Sequence, residues 1–128
     1  MKCDFKQFAT DLYEERKDEI DEATIRTCIG RLYYFLYHKI FRWLKDNWND
    51  LLSSYSCGSH ERLQYCLKSI ARDEKNLKFS QLALKLHSLH SKRCLADYKL
   101  EVDQCAKHLD LVIREVDQAD QLFNSLVS

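Results

Sequence analysis

The sequence predicts an all-α protein, an antiparallel up-and-down bundle of four to five helices, on three observations. The 128 residues include no Pro and only two Gly, so the turn residues that a sheet protein needs are missing. Apolar residues recur at three- and four-residue spacings along most of the chain, the period of a helix with one buried face. The stretches between these segments are short, which favours antiparallel neighbours.

The first helix covers about residues 4–18, with Phe5, Phe8, Ala9 and Leu12 on one face. Asp21 is the expected N-cap of the second, which runs to Asn47 on a stripe of Ile25, Ile29, Leu32, Leu36, Ile40 and Trp43. Tyr33, Tyr34, Phe35, Tyr37, Phe41 and Trp48 widen that stripe beyond one side. A helix apolar nearly all round is central in its bundle or lends one side to a dimer. Residues 53–59, with Gly58 among them, read as a loop. A third helix follows from Ser59 or His60 to Asp73, turning Leu63, Leu67 and Ile70 inward. Ser80 is the expected cap of a fourth, which buries Leu82, Leu86 and Leu89 and turns His87 and His90 to solvent. Asp103 opens the last, where Cys105, Leu109, Val112, Val116, Ala119 and Phe123 step by four and three in alternation. No internal repeat or linker interrupts the series, and 128 residues suit one domain, 1–128, with one core.

Twenty basic and twenty acidic side chains leave no net charge, so any nucleic-acid binding has to come from a local patch. No apolar run approaches the roughly 20 residues that span a bilayer. The first residues also lack the apolar stretch of a signal peptide. A cytoplasmic address without a membrane is the expectation. The six cysteines, at 3, 28, 57, 66, 94 and 105, include no Cys-x-x-Cys pair and are expected to be free thiols, mostly small core residues. No Cys and His cluster has zinc-ligand spacing, and no metal or cofactor is expected.

Polar residues with chemical potential stand inside this apolar frame. Arg31 and His38 are seven apart on the second helix, hence on nearly the same side. Placing both on a core helix is costly unless they are paired or face a cleft. His60 follows the Gly58-Ser59 turn at a helix start, where backbone N–H groups help hold an anion. Arg93 and Asp97 are four apart on the fourth helix, with Tyr98 adjacent. Lys39, Arg42 and Lys45 extend a positive stripe beside His38 or form an ordinary solvated face.

The segment 31–38, Arg-Leu-Tyr-Tyr-Phe-Leu-Tyr-His, resembles the Arg-x-Tyr-Tyr-x-x-Phe-His signature of one branch of the HEPN family. Ser59-His60 stands where that branch has Thr/Ser-His at the next helix start. Residues 93–98, Arg-Cys-Leu-Ala-Asp-Tyr, resemble its Arg-x-x-Ala-Asp-Tyr signature. The three occur in order, and the resemblance runs from about residue 4 to the C-terminus. It implies a dimerising helical bundle. Many such domains are metal-independent ribonucleases of toxin–antitoxin or anti-phage systems, with a cleft shared by two protomers. Others are silent partners of nucleotidyltransferases or bind nucleotides.

The ribonuclease members carry an Arg followed after four to six residues by a His. Here Tyr98 stands at the fifth position after Arg93, and no His follows within reach. Two functional readings therefore stand. In the first, Arg31, His38, His60, Arg93, Asp97 and Tyr98 form an RNA-cleaving site. A histidine serves as base or acid, Arg31 or Arg93 grips the phosphate, and Tyr98 stacks on a base or donates a hydrogen bond. In the second, the same residues form a nucleotide pocket or a structural network in a binding module. An ion pair of Asp97 with Arg93, or with Arg31, accounts for them without catalysis.

Overall fold

In the computed structural model, residues 5–16, 21–101, 103–104 and 106–127 are described. They form six helices: α1 (Phe5–Arg16), α2 (Glu22–Asn47), α3 (Asn49–Ser54), α4 (Ser59–Asp73), α5 (Leu77–Tyr98) and α6 (Ala106–Val127). No strand occurs among the described residues. None of their helices is long and apolar enough to cross a membrane.

Helix α2 is the hub and touches each of the other five. Its start is capped as the sequence predicts: the Asp21 carboxylate accepts a 2.7 Å hydrogen bond from the Thr24 N–H, satisfying an N–H that has no partner within the helix. Ile25, Ile29, Leu32, Leu36 and Ile40 are all buried. Trp43 stacks on Phe79 of α5 and meets the edge of Phe123 of α6. These contacts tie one end of α2 to the start of α5 and the end of α6. At the other end, Arg26 of α2 reaches the last turn of α5, so α2 and α5 run antiparallel. Helices α5 and α6 do the same, with Lys92 paired to Glu115 and Lys85 bonded to Gln118.

Several local expectations need correction. Phe8 is exposed; the α1 face turned inward carries Ala9, with Leu12 packed beside it. The expected ends of the first helix, the Phe5 side chain and Cys105 lie outside the described residues. Helix α3 fills the stretch between the expected end of the second helix at Asn47 and the expected loop, and takes Ser53 and Ser54 from that loop. Six residues are fewer than two turns, too few to show a period. Ser80 is an interior residue of α5: the cap is Asn76, whose side chain accepts from the Lys78 N–H at 3.0 Å. The end of α4 sets that point. Lys75 takes a positive φ of 53°, and the N–H groups of Lys75 and Asn76 return to the carbonyls of Arg72 and Ala71. This is a Schellman turn with Lys where Gly is commonest, and it delivers the chain to α5 one turn before Ser80. Asp103 likewise precedes α6, which starts at Ala106.

Two polar anchors hold the bundle. Asp120 of α6 is buried, and its carboxylate meets Lys6 of α1 at 3.2 Å and Lys39 of α2 at 2.5 Å. Lys39 thus belongs to the interior anchor, its ammonium over the rings of Phe35 and Phe123, while Arg42 and Lys45 remain on the surface. The second anchor is Arg26. Its guanidinium donates to the carbonyls of Leu95, Ala96, Lys99 and Leu100 at 2.8–3.5 Å. A cation there adds to the hydrogen bonding at the end of α5, where the Leu95 carbonyl also accepts from the Lys99 N–H, and complements the helix dipole. Glu22 lies 3.7 Å from Arg26 and also accepts from the Gln104 N–H at 2.7 Å, which binds the chain after α5 to the start of α2. Cys28, Cys57, Cys66 and Cys94 are free, and Cys28 and Cys66 are buried as small core residues.

Candidate functional site

The candidate site lies where the middle of α2, the first turn of α4 and the last two turns of α5 converge. Helix α2 contributes three tyrosines in two turns. The burial of Tyr33 and Tyr37 follows from the inward face of α2, while Tyr34 is half-buried at its edge. Helix α4 contributes His60. Helix α5 contributes His90, Arg93, Asp97 and Tyr98, spaced by three, four and one, so that they share one side of its final turns.

Arg93 is the centre. It is 9% exposed, and its Nε donates to Asp97 at 2.9 Å while Nη2 donates to the Tyr98 hydroxyl at 3.1 Å. Its guanidinium carbon lies 4.8 Å from the Tyr34 ring centre, 5.5 Å from Tyr98 and 6.0 Å from Tyr33. Cation–π attraction to these rings, with the hydrogen bonds to Asp97 and Tyr98, holds the fork in place. Burial alone favours its neutral form, but the oxygens of Tyr34, Tyr98 and Asp97 outweigh burial and raise its pKa. Among the described residues Nη1 has no acceptor, and it is not sealed from solvent, so one corner of the fork is available to an anion. Gly30 of α2 faces the same pair. A Cβ there would sit 3.5 Å from an Asp97 oxygen, an ordinary contact distance, so the carboxylate packs close against α2.

Two histidines complete the cluster. His60 Nδ1 and the Tyr33 hydroxyl share a 2.5 Å hydrogen bond. The rings of His60 and His90 stack with centres 4.2 Å apart, and Tyr37 flanks His60 at 5.2 Å. Cys94 Sγ lies 3.6 Å from His90 Nε2. Burial first, then the nearby His90 and Arg93, push His60 down to about 4. Burial, Arg93 and His87 lower His90 against an opposing pull from Glu61. Burial pushes the Tyr33 phenol above the ordinary tyrosine range. At neutral pH the His60–Tyr33 pair is therefore uncharged.

This depression predicts acid sensitivity. His60 has a lower proton affinity when folded, about 4 against 6.5. Its contribution to stability is therefore present above pH 6.5 and lost as pH falls toward and through 4. Allowing for solvent screening of a partly exposed ring, the loss is about 1–2 kcal/mol. Urea unfolding of the wild type and His60→Asn across this range should show the gap between them shrinking in acid. A gap independent of pH would refute the assignment.

Of the six residues the sequence singles out, the structure gathers four: His60, Arg93, Asp97 and Tyr98. His38 is an exposed rim residue, its ring stacked on Tyr34 with centres 5.7 Å apart. Arg31 is exposed one helical turn before Tyr34 and Phe35, and the contacts that build the cluster run through Tyr33, Tyr34 and Tyr37 instead. Asp97 pairs with Arg93 of its own helix, so that ion pair joins no two helices. His90, expected on the solvent side, is turned to His60, whereas His87 is exposed. The tyrosines read as packing, and the structure adds a polar use for them. Among the described residues no three His, Cys, Asp or Glu side chains converge as metal ligands would.

Fold and site define a helical bundle in which a buried arginine, flanked by tyrosine rings, lies beside two stacked histidines. No protein-family model matches the chain, and no curated protein or solved structure matches it.

Proposed function

We propose that this chain is an RNA-handling bundle of the HEPN type that acts as a homodimer and cleaves RNA without a metal, as an effector of a toxin–antitoxin or anti-phage module. The observation that carries the reading is Arg93: a buried guanidinium close to the rings of Tyr34 and Tyr98, with Nη1 not sealed from solvent, beside two imidazoles. RNA cleavage needs a base for the 2′-hydroxyl, an acid for the leaving 5′-oxygen and a cation for the phosphorane. Arg93 holds the phosphate, neutral His60 accepts the 2′-hydroxyl proton, and His38 on the rim returns a proton to the leaving oxygen. Tyr34 and Tyr98 offer rings on which a splayed base stacks.

A second reading is favoured by one observation. His60 is held near 4, far below the value at which imidazole exchanges protons best near neutrality. A catalytically silent module that binds nucleotide or RNA, or docks to a nucleotidyltransferase or another defence protein, needs the Arg93 grip and no proton transfer.

Incubation of purified protein with mixed tRNA and mRNA in EDTA, beside Arg93→Ala, separates the two. Cleavage by the wild type alone, leaving 2′,3′-cyclic phosphate ends, is the expected result. RNA binding without cleavage would establish the silent module. Absence of both binding and cleavage would overturn the RNA reading.

A further inference from the structure

The stacked imidazoles raise a question of charge. Around His60 stand Tyr33, Tyr34 and Tyr37 from α2, and His90 with Arg93 from α5. Around His90 stand Tyr33 from α2, Glu61 from α4, and His87, Arg93 and Cys94 of its own helix. The two carboxylates in this group are Glu61 and Asp97, and Asp97 is paired with Arg93. A proton on either ring would therefore sit beside a fixed guanidinium and face to face with a second imidazole.

We propose that the His60–His90 stack makes anion binding at Arg93 proton-coupled: a phosphodiester seated on the guanidinium draws a proton onto the imidazole pair. The inference rests on the RNA-binding reading of the site, in which Arg93 grips the phosphate and His60 transfers no proton to or from substrate, and adds the way the site senses pH. A bound phosphodiester offsets the guanidinium charge that disfavours protonation of the rings and supplies an acceptor for an imidazolium N–H. Rings 4.2 Å apart hold at most one such proton, because like charges at that distance exclude each other. In the free protein burial and Arg93 both disfavour the charged form of either ring. Binding and protonation then strengthen each other by the same factor.

The probe is a short 2′-O-methyl oligouridylate, which cannot be cleaved through its 2′-oxygen and whose charge is constant over mildly acidic pH. Calorimetric titration of the full chain near pH 6, in buffers of different ionisation enthalpy, reads the protons taken up on binding. The expected result is uptake of up to one proton, with affinity rising toward a limit of about tenfold per pH unit as pH falls. His60→Asn and His90→Asn should each reduce the uptake while binding through Arg93 persists. Binding with no proton uptake by the wild type, a result that needs no variant, would overturn the coupling and leave the RNA reading standing. Uptake undiminished in the double variant would overturn it too, by assigning the proton elsewhere. No binding at any pH would overturn the RNA reading on which the coupling rests.

Discussion

Replacing Arg93 with Ala is expected to weaken RNA binding at least about hundredfold and to abolish any cleavage, while the helical fold survives. The fork is the one buried cation among the described residues of the cluster, and it lies close to the rings of Tyr34 and Tyr98. Its partner Asp97 has a side chain 30% exposed, so the carboxylate left behind remains partly hydrated and the variant loses only about 1–2 kcal/mol of stability. Arg93→Lys separates charge from shape. A lysine keeps the positive charge but has neither a second parallel N–H nor a flat face to stack, so it should recover only a small part of the affinity. Fluorescence anisotropy with a labelled oligoribonucleotide measures both variants, and circular dichroism confirms that they fold. Unchanged affinity in Arg93→Ala would remove the site from this part of the molecule.

The largest expected loss of stability comes from a residue outside the cluster. Arg26→Ala should lower the unfolding free energy by about 3 kcal/mol. Arg26 is 8% exposed, and its removal strips a donor from the carbonyls of Leu95 and Ala96 in the last turn of α5 and of Lys99 and Leu100 just beyond it, of which Leu95 keeps the Lys99 N–H. Arg26→Met restores most of the bulk but none of the N–H groups, so it should lose nearly as much. The two variants together distinguish lost hydrogen bonds from lost packing. Amide exchange at residues 95–100 should quicken in both, because the last turn of α5 frays when its carbonyls lose a partner. A change below about 0.5 kcal/mol in urea unfolding would refute the anchor. Frayed ends would also loosen Asp97 and Tyr98, so Arg26 supports the site through the helix that carries it.

The two predictions involve residues of unequal visibility in the sequence. Arg93 stands in a motif, four before an acid and five before a tyrosine, and its ion pair is local to one helix. Arg26 interrupts an apolar stripe, and its partners lie some 70 positions away. Nothing nearby reveals them. His90 is a similar case. Periodicity tells that Leu86 and Leu89 face inward, but whether their neighbour meets water or another ring depends on which helix packs alongside. Helix α4 does, with its first turn level with His90.

Local chemistry alone determined the helical class, the span of α2 from its Asp21 cap, the inward face of α6 and the inclusion of Arg93, Asp97 and Tyr98 in one group. Each rests on interactions between residues a few positions apart, and these are written in the order of side chains. Tertiary structure decided the rest. It set Lys39 on the buried Asp120. It stacked His60 on His90 and left His38 at the rim. These depend on distances between helices that are remote in sequence, and packing alone sets those distances.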